Sequence, residues 1–153
     1  MLSVVNFGEE MQLREMSFAD YQGFIALLTG TSGVTVRAAD GADAIKCYLA
    51  RNPGCSFVAE EEGRLVGCAL AGHDGRRGYL QHVIVAPEYR RQGVARALVG
   101  RCVAALAAQG IEKMHIDVLA ENTAAMHFWE HLGWQQRRDI VRYSYVATAD
   151  SNA

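Results

Sequence analysis

Tyr79-Leu80-Gln81-His82-Val83-Ile84-Val85-Ala86-Pro87-Glu88-Tyr89, running on into Arg90-Arg91-Gln92-Gly93-Val94-Ala95, is the stretch on which the fold turns. Its first part is apolar and β-branched enough for a buried strand, and Ala86-Pro87-Glu88-Tyr89 closes it. Behind the turn, Val94, Leu98, Cys102 and Leu106 recur at helical spacing through an alanine-rich run to Gln109, with Gly110 as a C-terminal stop. A glycine at such a junction lets backbone N–H groups approach a ligand closely, and a helix N-terminus adds partial positive charge. The turn therefore reads as an anion cradle, with phosphate as its guest. No Gly-Lys-Ser/Thr follows to make a Walker loop, and no second and third glycine make a dinucleotide fingerprint, so a nucleotide triphosphatase is disfavoured.

Outward from that junction, the pattern predicts a mixed, mostly antiparallel sheet with helices. Met11 to Glu15 reads as a short strand, and Ser17 with Asp20 as a capping-box variant opening a helix near Phe18 to Leu28. A second helix is expected from Gly41 or Ala42 to Asn52, ended by Pro53-Gly54. Cys55 to Glu61 and Leu65 to Gly72 are strand-like and joined by Glu62-Gly63-Arg64, a hairpin signal. The polar turn from His73 to Gly78 makes a second hairpin with the strand at Tyr79. Glu112 to Leu119 is a further strand, with His115 and Asp117 on one face. Ala125, Phe128, Trp129 and Leu132 then mark a helix closed by Gly133, and Ile140 to Ala147 a last strand before a loose tail from Thr148 to Ala153.

Composition narrows the class. The 153-residue chain is read as one domain that buries about 68–70% of its unfolded surface. Half of its residues are hydrophobic and two are proline, which excludes a disordered chain. A formal charge of −2 argues against a general nucleic-acid binder. No run approaches the roughly 20 apolar residues of a membrane span, and Glu9, Glu10, Arg14 and Glu15 interrupt any signal-peptide core, so no membrane association and a cytoplasmic location are expected. Cys47, Cys55, Cys68 and Cys102 are widely spaced with no Cys-x-x-Cys pair; they suggest reduced packing residues and no metal site.

Three segments together resemble the GNAT superfamily of acyl-CoA-dependent N-acyltransferases. They are Val83 to Arg90 running into the Arg90-x-x-Gly93-x-Ala95 turn, Asp117 to Asn122 after the fifth strand, and Ala125-x-x-Phe128-Trp129-Glu130-x-Leu132-Gly133-Trp134. The resemblance implies a single GNAT domain over residues 1–153, α/β (α+β) in class, with a twisted sheet of six to seven strands, about four helices, and a splay between the fourth and fifth strands. It implies acetyl-CoA as co-substrate and no metal. The pyrophosphate would lie on the N–H groups of Arg91, Gln92, Gly93, Val94, Ala95 and Arg96, next to Arg90. The pantetheine arm would run along Val83, Ile84 and Val85, with Asn122 on its other side and Phe128 and Trp129 walling the cofactor site. Dimers are common in such folds, and no stretch of the sequence marks an interface.

The implied reaction is attack of an amine, in a small molecule or a peptide, on the thioester. A lysine-like amine has a pKa around 10.4, so freeing it at pH 7 costs roughly 4 to 5 kcal/mol, which a base or water chain reduces. Asp117 lies where some peptide-modifying members carry a glutamate proposed as base, and His82, beside Gln81, near where others use a glutamate; His115 shares the strand face of Asp117. Each also has a structural reading, as a solvated strand residue or a packed ring. Many members place a tyrosine acid where this chain has Trp129, and an indole donates hydrogen bonds but is no acid at neutral pH. Tyr143, Tyr145 or Tyr79 could supply a phenol instead, or serve as sheet aromatics. Arg76 and Arg77 would either recognise an anionic acceptor or belong to an ordinary hairpin. The alternative to an N-acetyltransferase is a catalytically silent acyl-CoA-binding or sensing module.

Overall fold

The computed structural model describes residues 10–153, so Glu9 lies outside the described residues. Among the described residues, five strands form one open sheet in the order β1-β2-β3-β4-β5, namely β1 Met11–Glu15, β2 Phe57–Glu61, β3 Arg64–His73, β4 Gly78–Val85 and β5 Met114–Ile116. The first four pair antiparallel and β5 joins β4 in parallel, as a mixed, mostly antiparallel sheet requires. Four α-helices accompany them among the described residues: α1 Tyr21–Thr29, α2 Ala42–Arg51, α3 Val94–Ala108 and α4 Thr123–His131. The chain divides into two compact units, the first ending at Ile116 and the second covering Asp117–Ala153.

The strand count falls short of six to seven. Ile140 to Ala147 alternates as a strand should, yet it joins no ladder among the described residues. Alternation marks a segment able to pleat, whereas a strand exists only once a partner takes its backbone hydrogen bonds.

β3 is the centre of the first unit, buried from Val66 through Gly72 because helices cover both of its faces. α3 comes down over the small residues: a Cβ at Gly67 would stand 3.1 Å from Leu98 Cδ1, and Cys102 Sγ lies 3.8 Å from the Ala69 carbonyl oxygen. On the other side α1 presses Gly23 onto Leu65, where a Cβ would meet Cδ1 at 2.7 Å. The two faces can alternate this closely because the β2–β3 register slips between Ala59 and Glu60. Such an extra residue turns following side chains to the opposite face.

The start of α1 is tied to the sheet through charge. Ser17 N–H donates to Asp20 Oδ2 at 2.9 Å, half of the expected capping box, and Phe18–Asp20 forms a 3-10 turn before the α-helix proper. Arg14 grips the same carboxylate with two bonds of 2.7 and 2.9 Å and reaches Glu60 at 2.9 Å. Burial alone would raise the Asp20 pKa, but Arg14 and the Ser17 N–H outweigh it and hold the carboxyl below its usual range. Stability from this group is therefore present above the unfolded carboxylate pKa of about 3.9 and is lost as pH falls through the lower folded value. Asp20→Asn is expected to cost about 1–3 kcal/mol at pH 7, and the gap from wild type to narrow in urea melts as pH falls below the ordinary carboxylate range.

Candidate active site

β4 decides the geometry. Its pairing with β5 covers only Gly78, Leu80 and the Tyr79 between them, so Gln81 to Val85 have no strand on that side among the described residues. On the other side its register with β3 jumps: Ile84 faces Cys68, but Gln81 already faces Leu70. β4 thus carries one extra residue, and His82 sits at the bulge with φ 49°, in the left-handed region. For a residue with a Cβ that conformation costs roughly 1–2 kcal/mol, and it persists because the surroundings hold it.

Those surroundings are specific. His82 Nε2 lies 2.7 Å from Asp40 Oδ1, and the edge of its ring meets Phe24 at a centroid distance of 5.8 Å. Asp40 is buried; its Oδ2 accepts the Arg37 N–H at 2.9 Å, and its carbonyl oxygen accepts the Tyr21 hydroxyl at 2.9 Å. The carboxylate belongs to the turn before α2, a stretch in which the sequence shows no chemistry. Its one local signal is an acidic residue placed before a helix start, which reads as a cap.

Beyond β4 the turn of Pro87–Tyr89 leads to Gly93, the N-cap of α3, with φ 81°. Arg91 is left-handed too, at φ 62°. None of the backbone N–H groups of Arg91, Gln92, Gly93, Val94, Ala95 or Arg96 finds an acceptor among the described residues; the first satisfied donor is Ala97, bonded to the Gly93 carbonyl. Consecutive donors of this kind converge on an anion. Arg91 and Arg96 are exposed with no ion-pair partner among the described residues, while Arg90 Nε donates to the Val85 carbonyl at 3.2 Å and so fastens the turn to the end of β4.

Other predicted residues have structural duties. In the second unit, Asp117 pairs with Arg142 at 3.0 Å. Asn122 caps α4, its Oδ1 accepting the Ala125 N–H at 3.0 Å. Trp129 is buried between Phe128 and Trp134, at ring-centroid distances of 5.1 and 4.6 Å. The Tyr143 hydroxyl makes no hydrogen bond among the described residues. In the first unit, Tyr79 and His115 are cross-strand neighbours whose rings lie 5.7 Å apart, tilted by 40°. The hairpin of Arg76 and Arg77 is built by Asp74, whose Oδ1 accepts both of their N–H groups at 2.8 Å.

Cys55, Cys68 and Cys102 are buried and Cys47 is exposed, all as free thiols. Burial pushes Cys68 and Cys102 up to about 12, so neither is a thiolate near neutral pH. Among the described residues no group of three or more His, Cys, Asp or Glu could hold a metal ion, and no helix is long and apolar enough to cross a membrane. A cavity of about 400 Å³ lined by Arg14, Asp20, Gly23, Glu60 and Leu65 belongs to the Arg14 network and contains none of the predicted site residues.

The chain is similar to known proteins in sequence and in fold. The sequence model of the Acetyltransferase (GNAT) family matches residues 21–134. An acetyltransferase of Sodalis glossinidius (strain morsitans) is 33% identical over 97 residues, which cover 63% of this chain and 68% of that protein. An acetyltransferase of Yersinia pestis (strain Pestoides F) is 36% identical over 97 residues, 63% of this chain and 69% of its own. Among solved structures, AAC(6')-Iy in complex with the bisubstrate analogue CoA-S-monomethyl-acetylneamine superposes with a TM-score of 0.73 at 22% identity, over 91% of this chain and 100% of that one. Ard1 from Thermoplasma volcanium does so with a TM-score of 0.71 at 18% identity, over 81% and 82%. These two share the fold. With the match over residues 21–134 and the named acetyltransferase relatives, the chain belongs to the acetyltransferase (GNAT) family, acyl-CoA-dependent enzymes that move an acetyl group from acetyl-CoA to an amine.

Proposed function

We propose that the chain works as one acetyltransferase domain in which the N-terminus of α3 takes the pyrophosphate of acetyl-CoA and His82 on β4 takes the proton of the acceptor amine. The observation that carries the cofactor end is the row of N–H groups from Arg91 to Arg96 with no acceptor among the described residues. The residues fit the group: donors without partners, a left-handed glycine that lets the backbone approach, and the unpaired cations of Arg91 and Arg96 beside them. Val83, Ile84 and Val85, unpaired on the β5 side, offer backbone groups to the pantetheine arm. Within the second unit, Asn122 retains its amide N–H₂ for the cofactor, its oxygen being occupied at the helix cap. Phe128 and Trp129 serve as apolar wall. That the family match runs from residue 21 to 134, through both compact units, supports one functional domain.

When bound, acetyl-CoA supplies the activated acyl group. The chain's part is to hold it and to free the amine. His82 is favoured as base over Asp117 because its ring is held by Asp40 while retaining a free nitrogen, whereas the Asp117 carboxylate is engaged by Arg142. A thiol with a pKa near 8.5 leaves without strong acid assistance, so Trp129 in place of an acid is tolerable and Tyr143 is an auxiliary donor at most. The acceptor is an amine, in a small molecule or at a peptide terminus, and the reaction is cytoplasmic.

Calorimetric titration with acetyl-CoA and with ATP, followed by thiol release with a panel of small amines and peptide N-termini, tests this reading. Acetyl-CoA is expected to bind at least tenfold more tightly than ATP, with thiol released in proportion to one class of acceptor. Equal competition by ATP would remove the pyrophosphate-plus-pantetheine reading of the site.

A further inference from the structure

Asp40 has no obvious reason to be buried against β4. It is an acidic side chain in the turn before α2, and it points a full carboxylate at the one histidine of the bulge. We infer that Asp40 is a positioning residue that fixes the tautomer of His82, so that Nδ1 is the ring nitrogen that takes the acceptor's proton. The inference rests on the reading of His82 as base.

A carboxylate only accepts, so the nitrogen facing Asp40 Oδ1 at 2.7 Å must carry a hydrogen. That nitrogen is Nε2, and it keeps its hydrogen whether the ring is neutral or charged. Proton gain and loss are then confined to Nδ1, which has no partner among the described residues and is not sealed from solvent, the side chain being 21% exposed. The bulge and the edge contact with Phe24 limit how the ring turns. Asp40 in turn is clamped by the Arg37 N–H on Oδ2 at 2.9 Å, a part-buried bond that rotation of the carboxylate would break.

In the step this serves, a proton passes from the ammonium nitrogen of the acceptor to Nδ1. The freed amine forms the C–N bond as the C–S bond breaks, the sulfur departs with the bonding pair, and the nitrogen's second proton passes to that thiolate. The imidazolium proton then goes to water, so the ring returns to its starting state.

The clamp makes the test unusually selective. In Asp40→Asn the Arg37 N–H favours the amide oxygen at the Oδ2 position, which turns the amide NH₂ toward His82 Nε2. Nε2 must then accept, the neutral ring carries its hydrogen on Nδ1, and the base is blocked. Asp40→Ala imposes no such tautomer, and the ring returns to the Nε2–H form that an unconstrained histidine favours in water. A purely structural Asp40 would behave in the opposite way, with the isosteric Asn mild and the cavity-forming Ala severe.

The ring tautomer is read by long-range ¹H–¹⁵N correlation in the free protein, and kcat and the acetyl-CoA KM are measured for both variants and for His82→Gln. The expected result is an Nε2–H ring in wild type, an Nδ1–H ring in Asp40→Asn with kcat down about 10²- to 10⁴-fold and KM within about threefold, and a smaller loss in Asp40→Ala. An unchanged tautomer in Asp40→Asn, or a loss in Asp40→Ala equal to or greater than that in Asp40→Asn, overturns the inference. So does a switched tautomer with full kcat while His82→Gln is inactive. If His82→Gln itself keeps wild-type kcat, it is the base assignment that fails, and the role of Asp40 falls with it.

Discussion

His82→Gln is expected to lower kcat by about 10²- to 10⁴-fold at neutral pH while leaving the fold and acetyl-CoA binding intact. Glutamine is chosen because its amide nitrogen reaches the place of Nε2 and preserves a donor toward Asp40, which lies 2.7 Å from the ring in the wild type. What disappears is the basic nitrogen alone. The signature lies in the pH dependence: without a base the rate follows the fraction of free amine, which rises about tenfold per pH unit below an amine pKa of about 10.4. The variant should therefore recover steeply from pH 7 to 9 while the wild type gains less. Asp117→Asn and Tyr143→Phe serve as comparisons and are expected to stay within about threefold of wild type, because Asp117 is engaged by Arg142 and a thiolate leaves without a strong acid. A large loss in Asp117→Asn with a small one in His82→Gln would move the base to the second unit.

Gly93→Val should have the largest effect on the cofactor end. Gly93 caps α3 at φ 81°, a conformation that valine adopts only at a cost of roughly 1–2 kcal/mol. The chain relieves that strain by rotating the peptide units on either side of it, which turns the N–H groups of the cradle away from a common focus. Loss of even one hydrogen bond to a charged oxygen is worth about 1.5–3 kcal/mol, so acetyl-CoA should bind at least about tenfold more weakly by calorimetry. Gly93→Asn is the informative companion, since asparagine enters the left-handed region more readily and adds no branch at Cβ. It should retain most of the affinity. Wild-type affinity in Gly93→Val would show that the anion does not sit on this turn.

The difference between what was legible and what was not is physical. The cradle could be read because a strand end, a glycine and a helix start are adjacent in the chain, and local conformation there follows from residue type. The free thiols and the two hairpins follow from similarly local rules. Asn122 and Trp129 could be located but not fully assigned. The sequence places them near the helix after the fifth strand, and only coordinates reveal that Asn122 Oδ1 is committed to the Ala125 N–H and that Trp129 is held between two aromatic rings. The strand count was overestimated at Ile140 to Ala147 because alternation is a property of one segment and a ladder is a property of two.

The bulge and the His82–Asp40 pair lie beyond any local rule. Nothing in Gln81-His82-Val83 announces an extra residue, since a bulge is defined by counting against the facing strand, and that register is set by β3. Asp40 is 42 positions away from His82 and precedes a helix, where an acidic residue is ordinarily a cap. The sequence by itself determined the family, the order of its principal elements and the turn that receives an anion, because each rests on residues adjacent in the chain. Only the tertiary structure decided which histidine nitrogen is tied down and which is left free, because that depends on two distant backbone segments meeting within hydrogen-bonding distance.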